Sequence, residues 1–304
     1  MPTPTIVLYH DIAEQPSSFE ARLGVTSHPD RFLAQLEHFQ KNYDIIDLDT
    51  LLNGPWPRRP LLITFDDCYR SVLDIAERWL APRGIPGVLF TNVDLLGHDS
   101  VSLDGILSWF AERHGLPALL KALELENQGL DSVAAIISGP MAQRGAQERR
   151  ALRDRLVELG GLDTDALAAR SPILSPEDIA RLPGLGVEIG NHTATHVHGR
   201  SMRPEDHHPE IVAARSRLEA ICGHPVRAFS VPYGYEADLT VELLETLRQG
   251  GHAAIFLVHA RSNRFRPAPD IWYRTSLHDE VPARLGMKLH ALPLLRSLKK
   301  RFVR

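Results

Sequence analysis

The sequence predicts an α/β fold: a mostly parallel sheet closed into a distorted (β/α) barrel of about seven strands. Two observations carry this expectation. Short apolar runs alternate with helical patterns along the chain, and one run, Leu61-Leu62-Ile63-Thr64-Phe65, ends in two adjacent carboxylates, Asp66 and Asp67. A third observation qualifies it. Residues 103–170 carry almost no strand signal, which predicts a helical insertion in a loop of the barrel.

Taken in order, the strand candidates are Ile6–Tyr9, Ile45–Leu48, Leu61–Phe65, Gly87–Thr91, Gly186–Ile189, Val226–Ser230 and Ala253–Val258. Between them, Phe32, Leu33, Leu36 and Phe39 fall on one helical face, as do Val72, Ile75, Ala76 and Trp79. Ile211, Ala214, Leu218 and Ile221 form a third stripe, and Leu243, Leu244 and Leu247 a fourth. Ser175-Pro176-Glu177-Asp178 reads as a helix start, with Ser175 as N-cap. Leu152, Leu156 and Leu159 mark an amphipathic helix within the insertion, which either shapes a substrate site or adds stability alone. The organisation expected is one barrel over residues 1–304, an insertion over 103–170 and a basic amphipathic tail over 287–304. That tail, with Leu289, Leu292, Leu294, Leu295 and Leu298 beside Arg296, Lys299, Lys300, Arg301 and Arg304, suits either peripheral contact with an anionic membrane or docking on the body.

A hydrophobic content of 43% and a charged content of 24% are ordinary for a globular chain of 304 residues, long enough to bury a large core. The formal charge of −4 gives no reason to expect a nucleic-acid partner. The only cysteines, Cys68 and Cys222, show neither metal nor disulfide spacing, as in a reducing compartment. Met-Pro-Thr-Pro-Thr runs straight into an apolar strand and reads as no secretory signal. No apolar run approaches the ~18 residues of a membrane span. A cytoplasmic location is the resulting expectation, with the inner membrane face as a variant of it. Oligomeric state is not legible.

The chemistry rests on two clusters. Residues at the carboxyl ends of parallel strands face the ligand site, and neighbouring side chains there point different ways, so Asp66 and Asp67 can hold different jobs. Alternatively one caps a helix while the other is solvated. Far downstream, His192 and His196 are spaced to present two imidazoles from one side of a helical turn. One carboxylate and two imidazoles leave coordination positions free for water and substrate, as a catalytic metal site requires. His198, two residues on, leaves an incidental histidine-rich loop in view.

Together these motifs resemble the polysaccharide deacetylases of the NodB-homology group, carbohydrate esterase family 4. Thr64-Phe65-Asp66-Asp67 resembles the first family motif, His192-Thr193-x-x-His196 matches the second, and Phe229-Ser230-Val231-Pro232-Tyr233-Gly234 resembles the third. The likeness spans roughly residues 5–100 and 174–277 and implies a NodB-like barrel. It implies Asp66 as general base, Asp67, His192 and His196 as metal ligands, and the Tyr233 backbone N–H as an oxyanion donor. The family acid usually comes from a Leu-x-His motif near the C-terminus. Here Leu8-Tyr9-His10 stands at the start, similar to the circularly permuted exopolysaccharide branch, so His10 is the expected acid and His259 the rival.

The chain departs from the family pattern in places. Cys68 stands where the family has Gly, bringing a β-carbon to a tight turn and a thiol near the metal. Ser230 replaces the arginine that orients the base; Arg274 is the expected substitute, with Pro232 and Trp272 lining the sugar site beside it. The resemblance implies a metal-dependent hydrolase that removes an N-acetyl or other N-acyl group from an amino sugar of a polysaccharide or glycan precursor. Zn²⁺ leads as the metal, with Co²⁺, Ni²⁺ and Fe²⁺ also admitted by mixed N/O ligands. The rival expectations are a non-catalytic carbohydrate-binding barrel, and a deformylase or O-deacetylase acting on a lipid- or nucleotide-linked sugar.

Overall fold

The computed structural model describes residues 2–97, 101–163, 167, 172–259 and 261–302. Seven parallel strands form a closed ring: β1 (Thr5–Tyr9), β2 (Pro60–Asp66), β3 (Gly87–Thr91), β4 (Val187–Asn191), β5 (Ala228–Ser230), β6 (Ala254–Val258) and β7 (Ile271–Ser276). Closure comes from β1, which pairs with β2 on one side and β7 on the other. The ring is uneven, because β4 meets β5 only at Asn191 opposite Phe229.

Two strand expectations need correction. The seventh strand is Ile271–Ser276, which the apolar-run reading did not name as a run of its own. Ile45–Leu48 contributes only the two-residue strand Asp44–Ile45, paired with Pro60 and Leu61 at the rim. The chain then turns helical because the Asp47 side chain accepts from the Thr50 N–H at 2.8 Å and caps Leu48–Asn53.

Period-two alternation decides what fills the barrel. Ile6, Leu62, Val88, Phe90, Ala228, Phe256 and Trp272 pack inside, with Leu48 and Leu51 of the short helix plugging the amino-terminal end. Thr64 and Asp66 follow Leu62 on the same inward face, Ser230 follows Ala228 and Arg274 follows Trp272. The inward residues nearest the carboxyl-terminal mouth are therefore polar. The outward face packs on helices, among them α1 (Pro29–Asn42), which buries Phe32, Leu36 and Phe39. Ser175 caps Pro176–Arg181 as its capping-box sequence requires.

The stretch expected to be an insertion is helical where described, with α2 (Leu103–His114) and α3 (Ala146–Gly160) packed on each other. They share an apolar cluster of their own, including Ile106, Leu107, Phe110 and Leu156, joined by Phe19 from the loop after β1. Leu159, expected on the buried stripe, is exposed. Residues 164–166 and 168–170 lie outside the described set. The chain closes on α4 (Leu292–Phe302), and no helix among the described residues is long and apolar enough to cross a membrane.

Candidate metal and catalytic site

β2 delivers both aspartates to the mouth of the barrel. Asp66 is its last residue and points inward. Asp67 begins a tight turn, with φ at +75° followed by +60° at Cys68. That left-handed pair costs about 1–3 kcal/mol per non-glycine residue and persists only where the surroundings enforce it. Here the Asp67 N–H donates to Phe90 O at 3.2 Å, and the Cys68 thiol accepts from the Asn92 N–H at 3.1 Å. The sulfur is thus turned away from the carboxylates into a buried contact with Tyr69 and Ile173, and burial pushes its pKa up. The thiol that the sequence places near the metal is therefore engaged by a backbone N–H.

His192 and His196 do not lie on a helix, contrary to the reading of their spacing. They sit on an irregular loop after β4, where Thr193 and His196 both have φ above +60° or at it. Side chains fold this loop: Asn191 Oδ1 accepts from Thr193 N–H at 3.1 Å, and Thr193 Oγ1 from His196 N–H at 2.9 Å. Buried Glu210 accepts from both the N–H and the hydroxyl of Thr195. The outcome is still convergence. Nε2 of each imidazole lies 3.4 Å from Asp67 Oδ1.

These three donors could hold a metal ion, and their hydrogen bonding fits one. Nδ1 of His192 sits 2.8 Å from the carbonyl of Ser230. A carbonyl only accepts, so this Nδ1 carries the proton and Nε2 presents its lone pair. Nδ1 of His196 sits 3.2 Å from Asp104 Oδ2, which fixes the same orientation. Two lone pairs then face a buried carboxylate oxygen that has no hydrogen-bond partner of its own. A cation between them resolves that arrangement. Although burial acts to raise it, the neighbouring histidines in their protonated form hold the Asp67 carboxyl far below its usual range, and a cation among the three donors would supply the same positive charge.

Asp66 is held differently. Arg274 reaches across the barrel interior from β7 and donates to both carboxylate oxygens, at 2.8 and 2.7 Å. Ser230 accepts from the same guanidinium at 2.6 Å and donates to Asp66 Oδ2 at 3.2 Å. Against the effect of burial, Arg274 first and His192 next hold the Asp66 carboxyl below its usual value. Asp66 Oδ2 remains 3.7 Å from His192 Nε2.

His10 follows β1 and places Nε2 4.0 Å from Asp67 Oδ2, with its pKa lowered because burial outweighs the two aspartates. Tyr233 has φ at +61° in a turn pressed against β6; a β-carbon on the following Gly234 would lie 2.2 Å from the Val258 nitrogen. The Tyr233 hydroxyl donates to Asp104 Oδ2 at 2.6 Å and accepts from Arg149 at 2.8 Å. Its ring stacks on His198 with centroids 3.5 Å apart, while His198 Nδ1 faces Asp238 at 3.2 Å, outside the metal triad. His259, the rival acid, packs edge-on to Tyr273 and is not among the residues lining the cavity.

A cavity of about 270 Å³ opens over these groups, lined by His10, Asp66, Asp67, His192, His196 and Tyr233. The three residues expected to bind substrate are absent from its lining, and Arg274 is instead fully buried on Asp66. Trp272 lies inward like Arg274 but two residues earlier on β7, a step of roughly 7 Å towards the closed end, where it packs edge-on to Trp56 at 5.8 Å. Pro232 is buried in its turn, while Tyr233 and Tyr235 line the cavity in its place. Sequence reasoning also missed Asp104 and Arg149, paired at 2.9 Å on α2 and α3. The only signal for Asp104 was a carboxylate in the first turn of a helix, which ordinarily reads as capping. Ala134, Ile137 and Ser138 complete the roof.

Of six described non-glycine residues with positive φ, five belong to this site and the sixth is Glu124. Such clustering marks a functional centre on a barrel mouth.

A sequence profile described as Polysaccharide deacetylase matches residues 53–255, more than half of the chain. The chain therefore belongs to the polysaccharide deacetylase family, hydrolases that act on amide bonds. Family membership implies deacetylation of an acetylated polysaccharide, generally with a divalent metal. No curated protein sequence matches it. Among solved structures, the fold is similar to Streptococcus pyogenes deacetylase PplD in complex with acetate (13% identity, TM-score 0.62, 95% of this chain and 100% of that one). It is similar also to IcaB from Ammonifex degensii (18%, 0.59, 95% and 97%). A putative polysaccharide deacetylase from Bacillus anthracis, BA0330, superposes at 14% identity and TM-score 0.60, over 94% of this chain and 69% of that one. At these identities the likeness establishes the fold.

Proposed function

We propose that this protein removes an N-acetyl group from an amino sugar of a polysaccharide or glycan precursor, using a divalent metal held by Asp67, His192 and His196. The observation that carries the reading is the division of labour between adjacent carboxylates. Asp67 faces two imidazole lone pairs, while Asp66 is gripped by Arg274 and kept ionised beside them. Zn²⁺ is the leading metal for one carboxylate and two histidines, and Co²⁺, Ni²⁺ or Fe²⁺ suit the same donors.

A bound cation at this position supplies Lewis acidity to the amide oxygen and acidifies an attacking water. Asp66 takes the proton released by that water, and its charge is sustained by Arg274 and Ser230. The Tyr233 N–H meets the negative charge growing on the former carbonyl oxygen, a donor worth about 3 kcal/mol when well placed. His10 delivers a proton to the departing nitrogen, because an amine anion is too poor a leaving group near neutral pH. One water is consumed; acetate and a free amine leave.

Two variants test this reading. Asp66→Asn should abolish acetate release from N-acetylated glycans while metal content stays near about one per chain. His192→Ala should empty the metal site. Retained turnover in the first, or unchanged metal content in the second, refutes the assignment, and saccharide binding without acetate release would favour the non-catalytic reading. The substrate panel includes O-acetylated and lipid-linked sugars. The lipid-linked class is favoured by the exposed apolar and basic segment at 287–298, which also supports a site of action at a membrane face. Two free, buried cysteines support a reducing, cytoplasmic side of that membrane.

A further inference from the structure

The segment that ends the chain is amphipathic, but it is mounted with its apolar stripe facing solvent. Pro282–Gly286, Met287–Ala291 and Leu292–Phe302 run on as one helical rod. Its docked side is Leu285, Leu289, Pro293 and Ser297, a strict four-residue spacing, and all four are buried. Ser297 ties this side down, accepting from the Ser262 N–H at 3.1 Å, and His290 meets the Tyr43 hydroxyl at 2.8 Å.

On a helix, residues 287, 294, 295 and 298 lie opposite that docked row. Met287 is 56% exposed, Leu294 42%, Leu295 58% and Leu298 37%, and Leu292 at their margin 38%. These are five of the eight large apolar side chains that the described residues expose, gathered within twelve positions. An apolar stripe so concentrated is a contact surface awaiting an occupant.

Charge says which occupant. Residues 287–304 carry Lys288, Arg296, Lys299, Lys300, Arg301 and Arg304 and no acidic residue, on a chain of net charge −4. Lys288 is paired with Glu280; the other five stand in the sequence around and after the stripe. The neighbouring groove, of about 780 Å³ and bordered by Ser297, adds Arg264 and Arg266; its Arg261 is paired with Glu236. A second copy of this chain docked stripe to stripe would bring like charges together across a two-fold axis. A surface of anionic lipid headgroups takes both features at once, with apolar side chains at the acyl boundary and basic side chains among the headgroups.

We propose that Met287–Leu298, with the basic residues after it, lays the protein flat on an anionic membrane surface. This stands independently of the catalytic assignment, because none of these residues lines the site cavity. The test is co-sedimentation of the full chain with vesicles of phosphatidylcholine alone or mixed with phosphatidylglycerol. Binding is expected to the mixed vesicles only and to fall as salt rises. Leu294→Ser with Leu295→Ser should release the protein, and Arg296→Glu should weaken binding about fivefold or more, with acetate release from a soluble glycan unchanged in both. Equal binding to neutral vesicles, or none to either, overturns the proposal. So does a concentration-dependent dimer that Leu295→Ser dissolves in a protein that ignores vesicles.

Discussion

Arg274 and Asp66 form a two-pronged, fully buried ion pair across the barrel interior, 2.8 and 2.7 Å long, with Ser230 wedged between them. The guanidinium lies 5.1 Å from the centroid of Phe90 and 5.9 Å from that of Phe256, so its remaining face is cushioned by aromatic rings. The charge absent from position 230 is thus supplied from a different strand, and the serine there leaves room for it.

Breaking that pair should damage both stability and turnover. Arg274→Gln leaves a buried carboxylate without its counter-charge, a loss of about 3–5 kcal/mol in unfolding free energy. Acetate release should fall at least ~100-fold, the lower end of a general base's contribution. Arg274→Lys retains the charge but not the fork, so it should fall between the two. Urea unfolding and steady-state rates on one N-acetylated glycan measure both. Wild-type turnover in Arg274→Gln would dismiss Arg274 as the base's partner.

Asp104 should act through His196. It accepts from the imidazole Nδ1, the Tyr233 hydroxyl and Arg149, so one carboxylate joins α2, α3, the metal loop and the turn after β5. Asp104→Asn should loosen metal binding about 10–100-fold, as losing the outer partner of a ligating histidine typically does. Competition with a coloured chelator reports the affinity, and circular dichroism checks that the helices persist. An unchanged metal affinity would reduce Asp104 to a packing role.

How much of this was legible depended on which rule governed each residue. Period-two alternation and the strand-end rule located Asp66 and Asp67, because both hold in any parallel barrel. Arg274 was legible as a candidate, since the missing arginine at 230 called for a replacement charge. Trp272 misled for a related reason: alternation gives its face but not its depth, and two residues moved it from the mouth to the floor. Helical spacing misdescribed His192 and His196, because left-handed Thr193 and His196 replace the helix with a loop that side chains fold. Asp104 stayed invisible, as only tertiary packing of α2 brings it to β4's loop. Outside a strand or helix period, sequence spacing carries no distance.

Both thiols should be silent in the folded protein. Cys68 is fully buried and accepts a backbone hydrogen bond, and burial raises the pKa of each cysteine. A thiol-specific chromogenic reagent should label neither within minutes in the native state and both after denaturation. Removing metal with a chelator should leave this pattern intact, since Cys68 sulfur faces Asn92 and not the ligands. Rapid labelling of Cys68 on chelation would return the thiol to the metal site.

Acid should weaken the fold through His252. This buried side chain has its pKa lowered from 6.5 to about 4, chiefly by burial. Its Nδ1 lies 3.2 Å from the Leu247 carbonyl and carries the proton, so Nε2 is free to accept from Asn191 Nδ2 at 3.3 Å. Asn191 in turn holds the Thr193 N–H and with it the metal loop. Between pH 6.5 and pH 4 the unfolded chain binds a proton at this residue that the folded chain refuses, so stability rises with pH across that window. The ceiling of the effect is about 3 kcal/mol. His252→Gln has no ionisation to refuse and should flatten this part of the profile while keeping a side chain that can bond Asn191. Chemical unfolding at half-unit steps from pH 7 to pH 4, wild type against variant, measures it. Parallel profiles would remove His252 as the source of the slope.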